Sequence, residues 1–248
     1  MRRPSIVMTA ALLALGVLKQ SSSAQHASGS GKPAHYPAEM NKKFADPGAN
    51  IEEFVRRFEN DSRDVFAKRD LIVRAVGVRP SGAVADIGAG TGLFTHLFAS
   101  QVGPKGTVYA VDIGSVFLRH IAQRAKRDGQ DRVVKPVKNT SDSVALPPGS
   151  IDVAFLCDSY HHFDHPGKML ASIHRALRPG GRLILIDFDL RPGSSEYVKH
   201  RARAPREIYC REIECAGFEP IATAKPPKLK EQFYAEFRRV ESNRRAGG

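Results

Sequence analysis

Short apolar segments alternate with helical segments along most of this 248-residue chain, and this alternation restricts the fold more than any other feature. Seven segments have the length and composition of strands: 84–88, 108–113, 132–137, 151–157, 182–188, 218–223 and 232–237. Strands connected by helices favour right-handed crossovers, which predicts an α/β fold with a doubly wound, mostly parallel sheet and helices on both faces. A proline-containing loop without a helix joins the last two segments, so we expect them to pair antiparallel.

Composition narrows the class of protein further. Hydrophobic residues make up 42% of the chain and charged residues 26%, which is typical of one globular domain and excludes a disordered or collagen-like chain. The three cysteines, Cys157, Cys210 and Cys215, are an odd number without a CxxC spacing. We therefore expect free thiols rather than a disulfide framework or a structural zinc site.

The basic excess is spread along the chain. The formal net charge of +12 is divided among the amino-terminal segment, a predicted helix at 119–132 and the carboxyl-terminal region. Charge divided in this way is typical of solvated faces, so no specific nucleic-acid partner is expected. The pattern leaves open a peripheral contact of the basic helix with an anionic membrane surface, and it does not determine the oligomeric state.

The first 24 residues have the pattern of a secretory signal peptide. Arg2 and Arg3 precede an apolar run over residues 6–18, and Ser22-Ser23-Ala24 forms a small-residue cleavage site. The apolar run is shorter than the ~20 residues that span a bilayer. We expect export to the periplasm or the medium; the alternatives are an organellar transit peptide, or a cytoplasmic protein whose true start lies downstream.

The rest of the chain divides into three predicted parts. Residues 25–48 are predicted to be a linker because glycine, proline and serine are frequent in them. Residues 49–240 contain the periodic segments and are predicted to be the folded domain, which begins with two amphipathic helices before the first strand. Residues 241–248 are predicted to be a basic tail.

A glycine-rich turn follows the first predicted strand. It reads DIGAGTG over residues 86–92, and its glycines allow the backbone to pass close beneath a ligand. A dinucleotide fingerprint counted from Gly88 needs a sixth-position glycine, where this chain has Leu93. Asp86 at the strand end suits a cationic ligand better than a pyrophosphate. Asp112 ends the second strand, where a carboxylate can accept hydrogen bonds from both hydroxyls of a ribose.

Four motifs in order resemble those of the class I methyltransferases that depend on S-adenosylmethionine. They are DIGAGTG at 86–92, VYAVD at 108–112, TSDSVALPPGSIDVAF at 140–155 and RALRPGGRLILIDF at 175–188. The resemblance covers residues 60–237 and implies a seven-stranded sheet of order 3-2-1-4-5-7-6 with the last strand antiparallel. The chain is similar to the small-molecule and quinone branch of this family. The resemblance therefore implies S-adenosylmethionine as cofactor and a small-molecule or lipid-like methyl acceptor.

The resemblance also assigns a cofactor site. It implies that the glycine turn lies under the methionine and ribose, with Asp86 near the methionine ammonium. Asp112 would hold the ribose, and Asp142 would approach the adenine edge. The complete set of cofactor residues implied in this way is Asp86, Gly88, Ala89, Gly90, Gly92, Asp112, Ile113, Asp142 and Ser143.

The loop after the fourth strand faces the transferable methyl in this family. Here it supplies four candidates for orienting or deprotonating an acceptor, namely Asp158, Tyr160, His161 and His162. Methyl transfer is a displacement at an already activated carbon, so no metal is required and alignment of the reactants dominates. We expect the helices before the first strand to form a lid, with residues 59–69 closing the site. Two alternatives stay open: a methyltransferase acting on rRNA or protein, and a protein that binds S-adenosylmethionine without turnover.

Overall fold

A seven-stranded sheet forms the centre of the computed structural model, which describes residues 38–241 and the side chains from residue 41 onward. The strands are β1 (Ala83–Ile87), β2 (Thr107–Asp112), β3 (Val134–Lys138), β4 (Ile151–Cys157), β5 (Leu177–Phe188), β6 (Phe218–Ile221) and β7 (Gln232–Arg239). Their order is β3-β2-β1-β4-β5-β7-β6. The first five strands pair in parallel, and β7 pairs antiparallel with both of its neighbours. The predicted sheet order and its antiparallel strand are confirmed.

Helices pack on both faces of this sheet. They are α1 (Ala38–Ala45), α2 (Ile51–Phe58), α3 (Asp64–Ala67), α4 (Arg69–Val76), α5 (Leu93–Val102), α6 (Ser115–Arg127), α7 (Pro166–Ala176), α8 (Glu196–Lys199) and α9 (Arg206–Cys215). Successive side chains of a strand point to opposite faces. Accordingly, Ala85 and Ile87 of β1 belong to the core cluster that includes α7 and α9, whereas Val84 belongs to the cluster that includes α4, α5 and α6.

The region before β1 contains more helix than the sequence pattern predicts. The linker expected over residues 25–48 is wrong for its last part, because α1 occupies Ala38–Ala45. This helix has a weak apolar pattern, but Phe44 packs on Phe54 of α2, with ring centroids 5.7 Å apart. Asn50 then caps α2 by accepting hydrogen bonds from the amides of Glu52 and Glu53. The expected signal peptide, the remainder of the linker and residues 242–248 lie outside the described residues.

Strand β5 begins earlier than expected. Helix α7 ends at Ala176, and Leu177 already pairs with Ile151 of β4. The register then shifts, so that Val153 pairs with Arg182. The Arg-Pro-Gly-Gly sequence at 178–181 therefore forms an irregularity within the strand rather than a turn before it.

Within residues 38–241, no helix is long and apolar enough to cross a membrane. Over the same residues, no three histidine, cysteine, aspartate or glutamate side chains are grouped closely enough to hold a metal ion.

Candidate active site

A cavity of about 230 Å³ lies at the carboxyl ends of β1, β2 and β4. This is the edge at which open parallel sheets bind ligands. The glycine turn and the ends of β2 and β4 line one side of the cavity, and residues of α1, α2 and α3 line the other. The cavity therefore brings together the predicted cofactor turn, the loop after β4 and the helices expected to form a lid.

The glycine turn has a backbone that only glycine adopts easily. Gly88, Gly90 and Gly92 have φ angles of +75°, +53° and +80°. A Cβ atom added to Gly88 would lie 2.5 Å from Cβ of Ser159, so this turn passes directly against the loop after β4. Together with Ala89, which also lines the cavity, the turn presents backbone rather than side chain to a ligand.

Asp112 is almost fully buried at the end of β2, where it connects two segments of the cavity wall. Its Oδ2 accepts a hydrogen bond from the amide of Gly90 at 2.8 Å, and its Oδ1 accepts one from the amide of Gly114 at 2.7 Å. Burial raises the pKa of Asp112 to about 6, although the amide hydrogen bonds oppose this rise. Asp112 and Ile113 both line the cavity, as expected for the ribose site.

Asp86 is the second buried carboxylate beside the glycine turn. Its Oδ2 accepts a hydrogen bond from Oγ1 of Thr95 at 2.7 Å. Burial raises the pKa of Asp86 to about 7, and the nearby carboxylate of Asp112 adds to the rise. Two acids whose charged forms are disfavoured by burial therefore lie at one end of the cavity. A bound cation would stabilise their ionised forms.

Asp142 and Ser143 do not join these residues. The Asp142 side chain is exposed, accepts a hydrogen bond from Oγ1 of Thr140 and lies 3.8 Å from Nζ of Lys168. Ser143 shares a hydrogen bond with Ser172 instead. Neither residue lines the cavity, which is bordered on this side by residues 139–141. The cavity wall here is formed by the segment just before these two residues, and the adenine contact expected of Asp142 and Ser143 stays a prediction.

Asp158 lies at the start of the loop after β4, in a strained left-handed conformation with a φ angle of +50°. Its Oδ2 accepts a hydrogen bond from Nη2 of Arg63 at 2.5 Å. Burial raises the pKa of Asp158, and the Arg63 charge opposes this rise. Its buried Oδ1 has no hydrogen-bond partner among the described residues. A buried oxygen without a partner in a cavity wall is a candidate for contact with a bound molecule.

Tyr160, a predicted catalytic candidate, does not line the cavity. The residues Tyr160–His162 form a 3₁₀ turn that directs the phenol into the core. The hydroxyl donates a hydrogen bond to Oε2 of Glu212 at 2.7 Å, and the ring packs on Phe163 and Tyr209. The prediction of a catalytic role for Tyr160 is therefore corrected to one in packing.

His161 is buried and lines the cavity, and Asp187 orients its ring. His161 Nδ1 lies 2.8 Å from Oδ1 of Asp187, and the His161 amide donates to Oδ2 of the same carboxylate at 3.2 Å. Asp187 is itself fully buried. Asp187 is not among the site residues predicted from the sequence, although an acid within the apolar run LILIDF at the end of a strand is a usable signal.

His162 also lines the cavity, but on the side of α1. Its Nδ1 lies 2.8 Å from Oδ1 of Asn41, whose Nδ2 donates to the His162 carbonyl at 3.0 Å. Burial lowers the pKa of His162 to about 2, and the positive charges of Lys43 and Arg201 contribute. The imidazole is therefore neutral near pH 7 and cannot act as a cation.

Aromatic side chains form much of the remaining wall. Phe44 of α1 lies against Phe58 and Phe117, with ring centroids 6.5 Å and 6.4 Å away. Phe188 packs edge to face against Tyr197, with centroids 5.7 Å apart. All five residues line the cavity, so aromatic rings form a substantial part of its wall.

The helices before β1 line the cavity with more residues than the predicted lid segment contains. Within the segment 59–69, Arg63 and Val65 line the cavity. Phe58 and Arg57 of α2, and Asn41, Lys43 and Phe44 of α1, do so as well. The lid helices are therefore α1, α2 and α3.

Sequence comparisons identify relatives over the central part of the chain. Residues 85–185 match a family model described as Methyltransferase domain. The ubiquinone/menaquinone biosynthesis C-methyltransferase UbiE of Ectopseudomonas mendocina is 36% identical over 123 residues, which are 50% of this chain and 48% of the relative. UbiE of Methylococcus capsulatus is 31% identical over 156 residues, 63% of this chain and 62% of the relative. The chain thus spans about half to three fifths of the length of these curated relatives.

A solved structure shares the fold over a longer stretch. A SAM dependent methyltransferase from Aquifex aeolicus superposes with a TM-score of 0.65 at 20% identity, covering 77% of this chain and 99% of the other. The sheet order, the glycine turn with its two strand-end carboxylates and these matches agree with one another. Residues 85–185 therefore match a methyltransferase domain, and the described residues have the fold of the SAM dependent methyltransferase with which they superpose.

Proposed function

We propose that this protein transfers a methyl group from S-adenosylmethionine to a small organic acceptor. One observation carries the proposal: a single cavity joins the glycine turn to His161 and Asp158, and the lid helices line its other side. Chemistry that aligns two reactants needs both of them held in one space. Phe44 and Phe58 line the cavity, and the Phe44 ring lies 5.1 Å from that of His162 in the loop after β4, which favours an acceptor small enough to lie among these side chains.

The cofactor half of the cavity fits an adenosyl sulfonium. The left-handed glycines leave room for a ligand to contact the backbone, and Asp86 and Asp112 offer carboxylate oxygens to a cation and to ribose hydroxyls. When bound, S-adenosylmethionine supplies the activated methyl group. Gly88, Gly90 and Gly92 would border it, and Asp112 would fix its orientation.

The acceptor half offers proton transfer. In the tautomer in which Nδ1 of His161 donates to the Asp187 carboxylate, the basic lone pair of the ring lies on Nε2. His161 would accept the proton that an enolic or phenolic acceptor loses on methylation. Asp158, held by Arg63, would orient a hydroxyl through its buried Oδ1. The relatives named as ubiquinone/menaquinone C-methyltransferases support an acceptor of the hydroxylated ring class.

Two measurements test this function in sequence. Isothermal titration with S-adenosylmethionine and S-adenosylhomocysteine should show binding of both, and binding of neither would refute the proposal. An assay with radiolabelled methyl should then place label in extracted small molecules or lipids. Label only in RNA or protein would identify a macromolecular methyltransferase, and binding without any transfer would identify a noncatalytic binding protein.

Cofactor affinity is expected to fall in acid because Asp86 titrates near neutrality. With a pKa of about 7, the Asp86 carboxylate is mostly ionised at pH 7.5 and mostly protonated at pH 5.5. A protonated acid no longer pairs with the ligand ammonium, so the Kd of S-adenosylhomocysteine should rise at least about tenfold between these values. In Asp86→Asn the Kd should rise only about fourfold between the same pH values, because Asp112, with a pKa of about 6, still becomes protonated. Equal pH dependence of the two proteins would contradict the role of Asp86.

Export and membrane contact remain part of the proposal. We infer from residues 1–24 that the chain carries a signal peptide. S-adenosylmethionine is made in the cytosol, so an exported enzyme would have to leave the cell with its cofactor bound. Cell fractionation with amino-terminal sequencing would decide between export, transit and a downstream start. Sedimentation with anionic vesicles would test contact through the basic face of α6.

A further inference from the structure

Three basic side chains reach the cavity without a carboxylate partner. They are Lys43 of α1, Arg57 of α2 and Arg201 after α8, and we refer to them as the cation triad. Among residues 41–241, none of the three lies within ion-pair distance of an aspartate or glutamate. Arg63, by contrast, is paired with Asp158 in the same cavity. The triad therefore brings three positive charges to the lid side of the cavity, where Asp164 lines the wall and is hydrogen-bonded to Asn41 rather than to a member of the triad.

The members of the triad are close enough to repel one another. Burial lowers the pKa of Lys43, and the charges of Arg57 and Arg201 lower it further. The charges of Lys43 and Arg201 also act on His162, which is neutral. Keeping like charges together costs free energy that a bound anion would recover. The triad belongs to the lid side of the cavity, whereas the carboxylates of Asp86 and Asp112 lie beside the glycine turn.

Aromatic contacts hold the triad along the apolar wall. The Arg201 guanidinium carbon lies 3.6 Å from the centroid of the Tyr197 ring, and Nζ of Lys43 lies 5.0 Å from that of Phe44. The segment that carries Arg201 is anchored two residues later, where Arg203 donates two hydrogen bonds to the carboxylate of Glu212, at 2.9 Å and 2.5 Å. Arg201 is therefore held in place over the cavity.

We propose that the methyl acceptor carries an oxyanion, a carboxylate or a phosphate, which the cation triad binds while the aromatic wall contacts the apolar body of the molecule. This inference rests on the proposed function and narrows its substrate class to amphipathic anions. A neutral quinol has no group that would use the triad. The remaining interpretations are that the triad is only solvated, or that it holds the carboxylate of the cofactor.

The chain supplies a matched control for the test. Lys42 and Arg56 directly precede Lys43 and Arg57 on the same two helices and are exposed as these two are, but neither Lys42 nor Arg56 lines the cavity. The variant Lys43→Met/Arg57→Gln removes two charges from the cavity, and Lys42→Met/Arg56→Gln removes the same two charges beside it. Arg201→Gln tests the third member separately. Thermal unfolding of each full-length variant verifies that it is folded.

The measurement is titration calorimetry of the protein saturated with S-adenosylhomocysteine. The probes are cinnamate against cinnamamide, and phenyl phosphate against phenol, in 50 mM and 500 mM salt. In the wild type and in the control variant, at least one anion should bind about tenfold tighter than its neutral partner at low salt. Lys43→Met/Arg57→Gln should reduce this ratio below about twofold, and high salt should reduce it in the wild type.

Several outcomes would overturn the inference. The neutral probes could bind as tightly as the anions, or neither anion could bind. The control variant could also lose the preference for the anion to the same extent as Lys43→Met/Arg57→Gln. A loss of affinity for S-adenosylhomocysteine in Lys43→Met/Arg57→Gln would assign the triad to the cofactor carboxylate and overturn it as well. Failure of the wild type to bind S-adenosylhomocysteine at all would instead refute the proposed function, so the two failures are distinguishable.

Discussion

Replacing Gly88 by alanine is expected to weaken the binding of S-adenosylmethionine by about 100-fold or more. The φ angle of +75° costs an L-residue about 1–3 kcal/mol, and the new Cβ would lie 2.5 Å from Cβ of Ser159. Both atoms belong to rigid parts of the cavity wall, so the glycine turn itself has to move. A backbone shift at this point displaces the surface against which the cofactor is proposed to lie. Titration calorimetry gives the affinity, and thermal unfolding gives the accompanying loss of stability.

Two further variants separate strain from steric overlap. Gly129 has a φ angle of +65°, but an added Cβ would meet nothing within 4 Å, so Gly129→Ala has the strain alone. It should lower the free energy of unfolding by about 1 kcal/mol and leave cofactor binding unchanged. Ser159→Gly removes the overlapping side chain. The loss of cofactor affinity caused by Gly88→Ala should therefore be smaller in the Ser159→Gly background than in the wild type. Wild-type affinity in Gly88→Ala would show that the turn does not border the cofactor.

The parts of the site that sequence could predict are those fixed by strand ends. Asp86 and Asp112 are the last polar residues of two neighbouring parallel strands, so the sheet order alone brings them together beside the glycine turn. Asp142 lies in a loop, where its orientation depends on Thr140 and Lys168 rather than on the sheet. The motif identifies a segment that borders the cavity, but it does not determine the direction of the Asp142 side chain.

The parts that sequence could not predict depend on contacts between distant residues. Asn41 binds His162 across 121 positions, and Arg63 binds Asp158 across 95. No local pattern encodes such pairs, and the weak apolar pattern of α1 gave no sign that this helix completes the cavity. The 3₁₀ turn at Tyr160–His162 added a second difficulty, because it sends neighbouring side chains in different directions. Tyr160 faces the core for this reason, while His161 faces the cavity.

Replacing Asp187 by asparagine should lower kcat about 1000-fold while KM and cofactor affinity change only a few-fold. The reason is the tautomer of His161. The Asp187 carboxylate can only accept a hydrogen bond from Nδ1, which leaves the basic lone pair on Nε2. The asparagine amide can also donate, which favours the reversed tautomer and removes the base. General-base catalysis contributes about 10²–10⁴-fold in rate, and a loss of that size is expected.

Asp189 provides the control, since it lies two residues further along the chain and outside the cavity, 3.2 Å from Arg191. Asp189→Asn makes the same chemical change and should keep kcat within about twofold of the wild type.

Nitrogen NMR of the His161 ring supplies a readout that a merely structural role would not change, because the Nδ1 and Nε2 shifts report which nitrogen carries the proton. If the tautomer reverses in Asp187→Asn and kcat does not fall, His161 is not the proton acceptor, and the buried Oδ1 of Asp158 becomes the group to test. If kcat falls while the tautomer stays the same, Asp187 supports the geometry of the cavity rather than the protonation state of His161. Only the joint change of tautomer and kcat, with KM preserved, assigns Asp187 as the residue that positions the base.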